Sequence, residues 1–96
     1  MNSLESLRAR RDDILCVATR HGAHNVRVFG SVARGEATEH SDVDVLVSTS
    51  ERTSPWFPAG LVVDLEDLLG CRVRVVTEGG LYWLLRERIL NKAKDL

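Results

Sequence analysis

Residues 26–48 read VRVFGSVARGEATEHSDVDVLVS, and this stretch decides the fold that the sequence predicts. Its two valine-rich runs, 26–29 and 42–48, are typical of short buried β-strands. Between them, Gly30-Ser31 begins a sharp turn and a short helix that ends near residue 35, and a polar loop follows. Two strands joined through a helical turn indicate a small α/β unit.

The same stretch carries the residues that can bind a cation and a phosphate. Asp42 and Asp44 alternate along a predicted strand, so their carboxylates point the same way, about 7 Å apart, and can converge on a divalent cation. Gly30 can adopt a positive φ, and Ser31 then lies at a helix start, where free backbone N–H groups favour phosphate. An anion cradle beside a hard-cation site suits a magnesium-bound nucleoside triphosphate.

Two other phosphate-binding motifs fit less well. Gly30 and Gly35 satisfy the first half of a P-loop, but Glu36 and Ala37 follow where lysine and serine or threonine belong. A carboxylate at the lysine position would repel the phosphates, so we reject a P-loop. The Gly-x-Gly-x-x-Gly fingerprint of dinucleotide-binding folds is absent.

Gly30-Ser31, ten intervening residues and then Asp42-Val43-Asp44 form a spaced motif that resembles the signature of polymerase-β-like nucleotidyltransferases. The tail of the motif, residues 34–35 and 41–47, is similar to the minimal nucleotidyltransferases (MNT), small proteins that are encoded with HEPN toxins. The resemblance covers most of the chain and implies one polymerase-β-like nucleotidyltransferase domain over residues 1–96.

The resemblance implies an activity as well as a fold. By it, the protein is an antitoxin that transfers AMP from ATP to a hydroxyl of a partner HEPN toxin, with Mg²⁺ as cofactor. Asp42 and Asp44 are the implied catalytic residues and metal ligands. Gly30, Ser31 and Arg34 are the implied nucleotide-binding residues, although an exposed arginine on a short helix is nearly as good a reading of Arg34.

One position departs from the family pattern. The strand that carries the family's third carboxylate reads roughly Val-Asp-Leu-Val-Thr after Leu-Gly, whereas residues 73–77 read VRVVT here. Arg74 therefore stands at the third-carboxylate position and changes the formal charge of the cluster from about −3 to about −1. A guanidinium can pair with Asp42 or Asp44 and occupy the place of a metal ion. Glu78 lies about 13 Å further along an extended chain, and Asp64, Glu66 and Asp67 are expected to be solvated.

Arg74 separates two hypotheses of different class. The first is an enzyme that adenylylates its HEPN partner. The second is a catalytically reduced antitoxin that neutralises the partner by binding alone. A third reading, a solvated Asp-x-Asp pair on an unrelated α/β domain, predicts no effect of magnesium or nucleotide on thermal stability.

Length, net charge and composition limit the remaining classes of function. Ninety-six residues suit one domain, and a net charge of −1 gives no basic field, so we expect no direct nucleic-acid binding. No apolar run is long enough for a membrane span, and no signal-peptide pattern opens the chain, so we expect a cytoplasmic protein. Cys16 and Cys71 are expected to be free thiols, and no Cys/His cluster has zinc spacing. The three histidines are expected to be solvated.

The rest of the chain predicts helices over residues 3–21, 59–69 and 81–95 and a third strand over 72–77. The resulting α/β (α+β) order predicts a small mixed sheet of about three strands with helices packed against it. Nothing outside the motif resembles an acceptor-binding domain, so acceptor choice must come from a partner or from a second subunit of a homo-oligomer. The Trp56-Phe57 loop, Tyr82 and Trp83 are candidate contact surfaces, with burial in the core as the alternative for each.

Overall fold

The computed structural model describes residues 3–38, 40–80 and 83–96, with no side chains described at 83 and 84. The elements in chain order are α1 (Leu4–Ala9), α2 (Arg11–Arg20), β1 (Ala23–Phe29), α3 (Gly30–Arg34), β2 (Val43–Thr49), α4 (Ala59–Leu69), β3 (Val73–Thr77), a 3₁₀ turn (Glu78–Gly80), α5 (Trp83–Lys92) and β4 (Lys94–Asp95). The proposed contact role of the Tyr82 and Trp83 side chains lies outside the described residues.

The strands form one mixed sheet in the order β3-β2-β1-β4. β2 runs antiparallel to β1 and parallel to β3, and β4 is antiparallel to β1. A mixed sheet with helices against it confirms the predicted fold class, although the described sheet has four strands rather than about three. The extra strand, β4, is two residues long and pairs with Arg27 and Val28 through backbone groups, so no side-chain pattern marks it.

The core lies between the sheet and the layer formed by α2 and α4. Val43, Val45 and Val47 on β2 are buried against Leu61 and Leu65 of α4. Because side chains alternate along a strand, Asp44, Leu46 and Ser48 point to the opposite face of the sheet. The apolar alternation of β2 therefore fixes on which face the Asp44 carboxylate lies.

The predicted boundaries differ from the observed ones where the chain bends. The helix predicted over 3–21 is broken at Arg10, whose φ of −111° leaves the helical region and whose guanidinium donates to the Leu68 carbonyl on α4. β1 begins earlier than predicted, and Asn25, at a φ of 51°, lies in an irregularity of its pairing. The prediction of 59–69 for α4 is confirmed, and Gly70 ends that helix in the left-handed conformation.

The last helix ends earlier than predicted, because the chain leaves it after Lys92 to form β4. Leu85 on this helix is exposed. The two aromatic residues of the 49–58 loop differ in burial. Phe57 packs partly against the core, whereas Trp56 is 79% exposed. No helix within the described ranges is long and apolar enough to cross a bilayer.

Candidate functional site

The glycine-serine bend and the acidic pair meet at Gly30 and Asp44. Phe29 and Asp44 are directly opposite each other in the β1/β2 pairing, so the bend that follows β1 begins beside the start of β2. Gly30 has a φ of 74°, and a Cβ atom there would collide with Oδ2 of Asp44. Only glycine lets the backbone approach the carboxylate this closely. The structure thus brings two residues far apart in the chain into direct contact.

Asp44 is a largely buried acid, with a side chain that is 17% exposed. Its Oδ1 atom is buried and has no hydrogen-bond partner among the described residues. Burial raises the pKa of the Asp44 carboxyl, and the Asp42 charge raises it further, while the charges of Arg74 and Arg34 oppose the shift. A buried carboxylate in this position is stabilised by any cation that can approach it.

Asp42 lies immediately before β2, because the strand begins at Val43, one residue later than the predicted run 42–48. The turn that leads to it is braced by Ser41, whose hydroxyl accepts the Thr38 N–H at 2.9 Å. Val43, the next residue, donates its N–H to the Arg72 carbonyl at 2.9 Å. Asp42 is therefore held between a hydrogen-bonded turn and the edge of β3, close enough to Asp44 to influence its pKa.

α3 connects the bend to the polar loop. Val32 anchors the helix in the core, Ser31 lies in its first turn, and Gly35 ends it at a φ of 73°. The guanidinium of Arg34 pairs with Glu36 through Nε at 3.1 Å, and its charge also acts on Asp44. The Arg34 side chain is thus half-exposed, and its positive charge lies near enough to Asp44 to act on that carboxylate.

Arg74 is the neighbour of Asp44 across the parallel β2/β3 pairing. Its Nε atom lies 3.3 Å from Oδ1 of Asp44, while the arginine side chain is 65% exposed. The arrangement forms an ion pair without the geometry of a hydrogen bond, which is why Oδ1 still lacks a hydrogen-bond donor. The arginine predicted to face the carboxylates does so in the structure.

The donor set fits one magnesium ion and not two. No group of three or more metal-ligating side chains occurs in the part of the chain that the structure describes. Mg²⁺ is commonly held by one or two carboxylates, with water and substrate phosphates as the other ligands. Asp42 and Asp44 can supply that pair, and Oδ2 of Asp44 faces the bend. The Arg74 guanidinium occupies the side where a third carboxylate would complete a second metal site.

Glu78 cannot replace the missing carboxylate. Its Oε1 accepts from Nη1 of Arg27 at 3.1 Å and its Oε2 from the Ser48 hydroxyl at 2.7 Å. These two hydrogen bonds and the Arg27 charge lower the pKa of Glu78. Arg27 is only 9% exposed, so Glu78 serves to neutralise a buried guanidinium at the other end of β2.

Sequence reasoning missed two groups of residues. His21, expected to be solvated, is bonded through Nδ1 to Ser54 at 2.7 Å and through Nε2 to Asp64 at 2.6 Å, and thereby ties the end of α2 to α4. The second group comprises Arg88 and Lys92 on α5, which line a cavity of about 360 Å³ together with Gly30 and Arg34. Their four-residue spacing places them on one helix face, but no sequence signal says what that face meets.

Comparison with known proteins shows the family of the chain. The family model described as the nucleotidyltransferase domain matches residues 7–96. The protein adenylyltransferase MntA of Thermococcus cleftensis is 47% identical over 73 residues, which are 76% of this chain and 74% of that protein. A solved structure described as a "putative minimal nucleotidyltransferase" is 53% identical, with a TM-score of 0.86, and covers 98% of this chain and 96% of its own.

A more distant crystal structure, of a toxin–antitoxin with AMP-PNP, shares the fold. It has a TM-score of 0.73 at 18% identity and covers 91% of this chain and 69% of its own. The family match over nearly the whole chain and the bend-to-carboxylate contact lead to the same conclusion: the chain belongs to the nucleotidyltransferase domain family.

Proposed function

We propose that this protein is an antitoxin that transfers AMP from ATP to a hydroxyl group of a HEPN toxin. The observation that carries the proposal is the contact between Gly30 and the Asp44 carboxylate, which joins a phosphate-binding bend to a cation-binding pair. The adenylyltransferase name of the Thermococcus relative and the AMP-PNP of the toxin–antitoxin structure support ATP as donor and a toxin as acceptor. We place the reaction in the cytoplasm, where ATP and the toxin would both be present.

In this proposal each residue has a defined task. Gly30 and Ser31 present the first backbone N–H groups of α3 to the α-phosphate, and Arg34 supplies positive charge beside it. The acceptor hydroxyl attacks the α-phosphorus, its new P–O bond replaces the bond to the bridging oxygen, and pyrophosphate leaves. The hydroxyl proton passes to a carboxylate oxygen of the acidic pair or to water. Positioning and fixed charge provide most of the acceleration.

Asp42 and Asp44 would hold one Mg²⁺. When bound, the ion would neutralise phosphate charge and orient the triphosphate. Arg74 takes over part of the same electrostatic task, because a fixed guanidinium beside Asp44 can face the charge that develops on the leaving pyrophosphate. A single-metal site with an arginine in the third-carboxylate position therefore remains compatible with adenylyl transfer.

The Arg74–Asp44 ion pair also favours a second candidate, an antitoxin that inhibits its HEPN partner by binding alone. An arginine paired with a metal-ligating aspartate lowers the negative charge that attracts the cation. It also leaves no third carboxylate to activate the acceptor hydroxyl. In this case binding, and not adenylyl transfer, would neutralise the toxin.

Label transfer separates the two candidates. The protein is incubated with a candidate HEPN toxin, Mg²⁺ and ATP labelled on the α-phosphate. Adenylyl transfer predicts label on the toxin and loss of toxin activity, and both are abolished in the Asp42→Asn/Asp44→Asn variant. Full inhibition of the toxin without label, unchanged in that variant, would overturn transfer in favour of binding alone.

A further inference from the structure

A serine, a histidine and an aspartate form a hydrogen-bonded chain on the α2–α4 side of the molecule. Nδ1 of His21 lies 2.7 Å from the Ser54 hydroxyl, and Nε2 of the same ring lies 2.6 Å from Oδ2 of Asp64. The histidine comes from the end of α2, the serine from the 49–58 loop and the aspartate from α4. A hydroxyl, a base and an orienting carboxylate in this order are the arrangement that activates a nucleophile.

The aspartate determines which nitrogen of His21 carries the hydrogen. An ionised carboxylate can only accept hydrogen bonds, so Nε2 donates to Asp64. In the neutral imidazole the free lone pair is then on Nδ1, and Ser54 donates its hydroxyl hydrogen to that nitrogen. The ring is therefore held in the tautomer that can take a proton from the Ser54 hydroxyl.

The fold also fixes the position of this ring. The Ser54 N–H donates to the His21 carbonyl at 3.2 Å, so the serine contacts the histidine through its backbone as well as its side chain. A Cβ atom at Gly60 would stand 3.0 Å from Cε1 of His21, so the ring packs on a helix position that has no side chain. The largely buried base needs no rearrangement to accept the serine proton.

The Ser54 hydroxyl can be reached from the surface of the molecule. Ser54 and His21 line a cavity of about 350 Å³ together with Trp56, which is 79% exposed. The neighbours of Ser54 in the loop, residues 53 and 55, are exposed as well. Exposed loops on a rigid scaffold are the segments that most often carry reactive or binding residues. This loop can therefore enter the active site of another molecule.

The acidic pair of the same molecule is too far away to act on Ser54. Asp42 precedes β2 and Ser54 follows it, and the intervening strand, Val43–Thr49, alone spans about 20 Å. The α-phosphate of a nucleotide that is held by Asp42 and Asp44 therefore lies at the opposite end of β2 from this hydroxyl. Ser54 can meet such a phosphate only on a second copy of the chain.

From these observations we infer that Ser54 is an adenylyl acceptor, modified by a second copy of this chain, with His21 as its general base. The inference rests on the proposed function and names an acceptor hydroxyl besides that of the toxin. Oγ of Ser54 forms a bond to the α-phosphorus of ATP, the bond from that phosphorus to the bridging oxygen breaks, and pyrophosphate leaves. The Ser54 proton passes to Nδ1 of His21 and from there to water.

Mass spectrometry of whole protein and of peptides tests the assignment after incubation with ATP and Mg²⁺. The wild-type protein is the donor. The acceptor is the Asp42→Asn/Asp44→Asn variant labelled with heavy nitrogen, which cannot modify itself and is recognised by its mass. Ser54→Ala and His21→Gln are introduced into this acceptor. Ser50→Ala is the matched control, because Ser50 is an exposed serine of the same loop. Circular dichroism melts establish that each acceptor is folded.

We expect one AMP on the acceptor, attached to Ser54. Ser54→Ala should abolish the modification, and His21→Gln should slow it about a hundredfold or more, since a positioned general base contributes at least that factor. Ser50→Ala should match the parent acceptor, because exposure alone does not activate a hydroxyl. In amide spectra the modification should give new signals near His21 that grow with time, unlike the immediate shifts that nucleotide binding produces.

Three results would reject the assignment. If the wild-type protein places AMP on a HEPN toxin and none on Ser54, the serine–histidine–aspartate chain only connects α2 to α4, and the proposed function stands. If neither protein receives AMP, the proposed function fails and the Ser54 assignment fails with it. If AMP is spread over Ser50 and other exposed hydroxyls, and His21→Gln does not slow its transfer, the acceptor is chosen by exposure and not by the histidine.

Discussion

Arg74 and Asp44 are direct neighbours on parallel strands, with Nε of the arginine 3.3 Å from Oδ1 of the aspartate. The pair occupies the edge of the site where the family pattern has a third carboxylate. Because Asp44 is buried and Arg74 is mostly exposed, the arginine acts as a solvent-facing counter-charge to an acid that the fold has desolvated. The chain thereby carries a cation at the position where the family pattern that its motif resembles has a carboxylate.

The first prediction concerns Arg74→Asp. Two carboxylates directly opposite each other on paired strands repel, so the metal-free variant should be less stable by about 1 kcal/mol. The added ligand should raise Mg²⁺ affinity at least about tenfold, since a charge reversal next to the site exceeds 1.4 kcal/mol in a partly buried setting. Thermal melts with and without Mg²⁺ measure both effects.

Arg52→Asp is the control for this charge reversal, because Arg52 is an exposed residue of the 49–58 loop. It should leave the Mg²⁺ dependence of the melting temperature as in the wild type. An Arg74→Asp variant with no gain in Mg²⁺ stabilisation would show that Asp42 and Asp44 do not form the cation site.

The second prediction compares Gly30→Ala with Gly35→Ala. Both glycines have φ near +73°, so both substitutions carry the strain of a left-handed alanine, about 1 kcal/mol. Only at Gly30 does the new Cβ meet the Asp44 carboxylate, whereas nothing lies within 4 Å at Gly35. Gly30→Ala should therefore lower the free energy of unfolding by about 1–3 kcal/mol more than Gly35→Ala. Equal losses in urea denaturation would contradict the bend-to-carboxylate contact.

The third prediction is a pH effect at Asp44. Its pKa is raised above the ordinary 3.8 chiefly by burial, so the folded state binds the proton more tightly than the unfolded state. The contribution of Asp44 to stability is therefore lost as pH rises from 3.8 through the folded pKa. Asp44→Asn, which has no charge to bury, should melt higher than the wild type at pH 7, and the gap should close below pH 3.8.

Asp67→Asn, on the exposed side of α4, controls for the loss of one negative charge. Melting temperatures from pH 3 to 8 in metal-free buffer provide the comparison. A melting temperature of Asp44→Asn below that of the wild type at pH 7 would mean that the Arg74 pairing outweighs the desolvation of the carboxylate.

The fourth prediction has the opposite sign and concerns Glu78. Hydrogen bonds from Ser48 and Arg27 lower its pKa below 4.5, so its contribution to stability is present above pH 4.5 and is lost as pH falls through the folded pKa. Glu78→Gln should unfold at lower urea concentration than the wild type at pH 7, and the two should converge well below pH 4.5. Glu87→Gln, an exposed charge on α5, should differ little from the wild type at either pH.

The sequence predicted elements that are set by side-chain periodicity and helix caps. α4 is an example, because its leucines repeat at helical spacing and Gly70 ends it. β4 is the opposite case, since a two-residue edge strand is fixed by backbone hydrogen bonds to β1 and has no side-chain pattern. The break at Arg10 likewise depends on a contact with α4, which local propensity does not encode.

The candidate site divides in the same way. Gly30, Asp42 and Asp44 could be found because their spacing between two strands is a motif, and Arg74 because it departs from a pattern at a countable position. His21 with Asp64, and Arg88 with Lys92, depend on how helices dock against the rest of the fold. Such tertiary neighbours are visible only once the strands and helices have been placed.

An amide chemical-shift titration with Mg²⁺ and ATP tests most directly whether the bend and the acidic pair form one nucleotide site. We predict that the amide signals of Gly30, Ser31 and Asp44 shift together with a single dissociation constant. The amide signal of Gly60, which lies beside His21 on the α2–α4 side, should not shift. Shifts confined to the His21 side, with the bend and the acidic pair unchanged, would contradict the account.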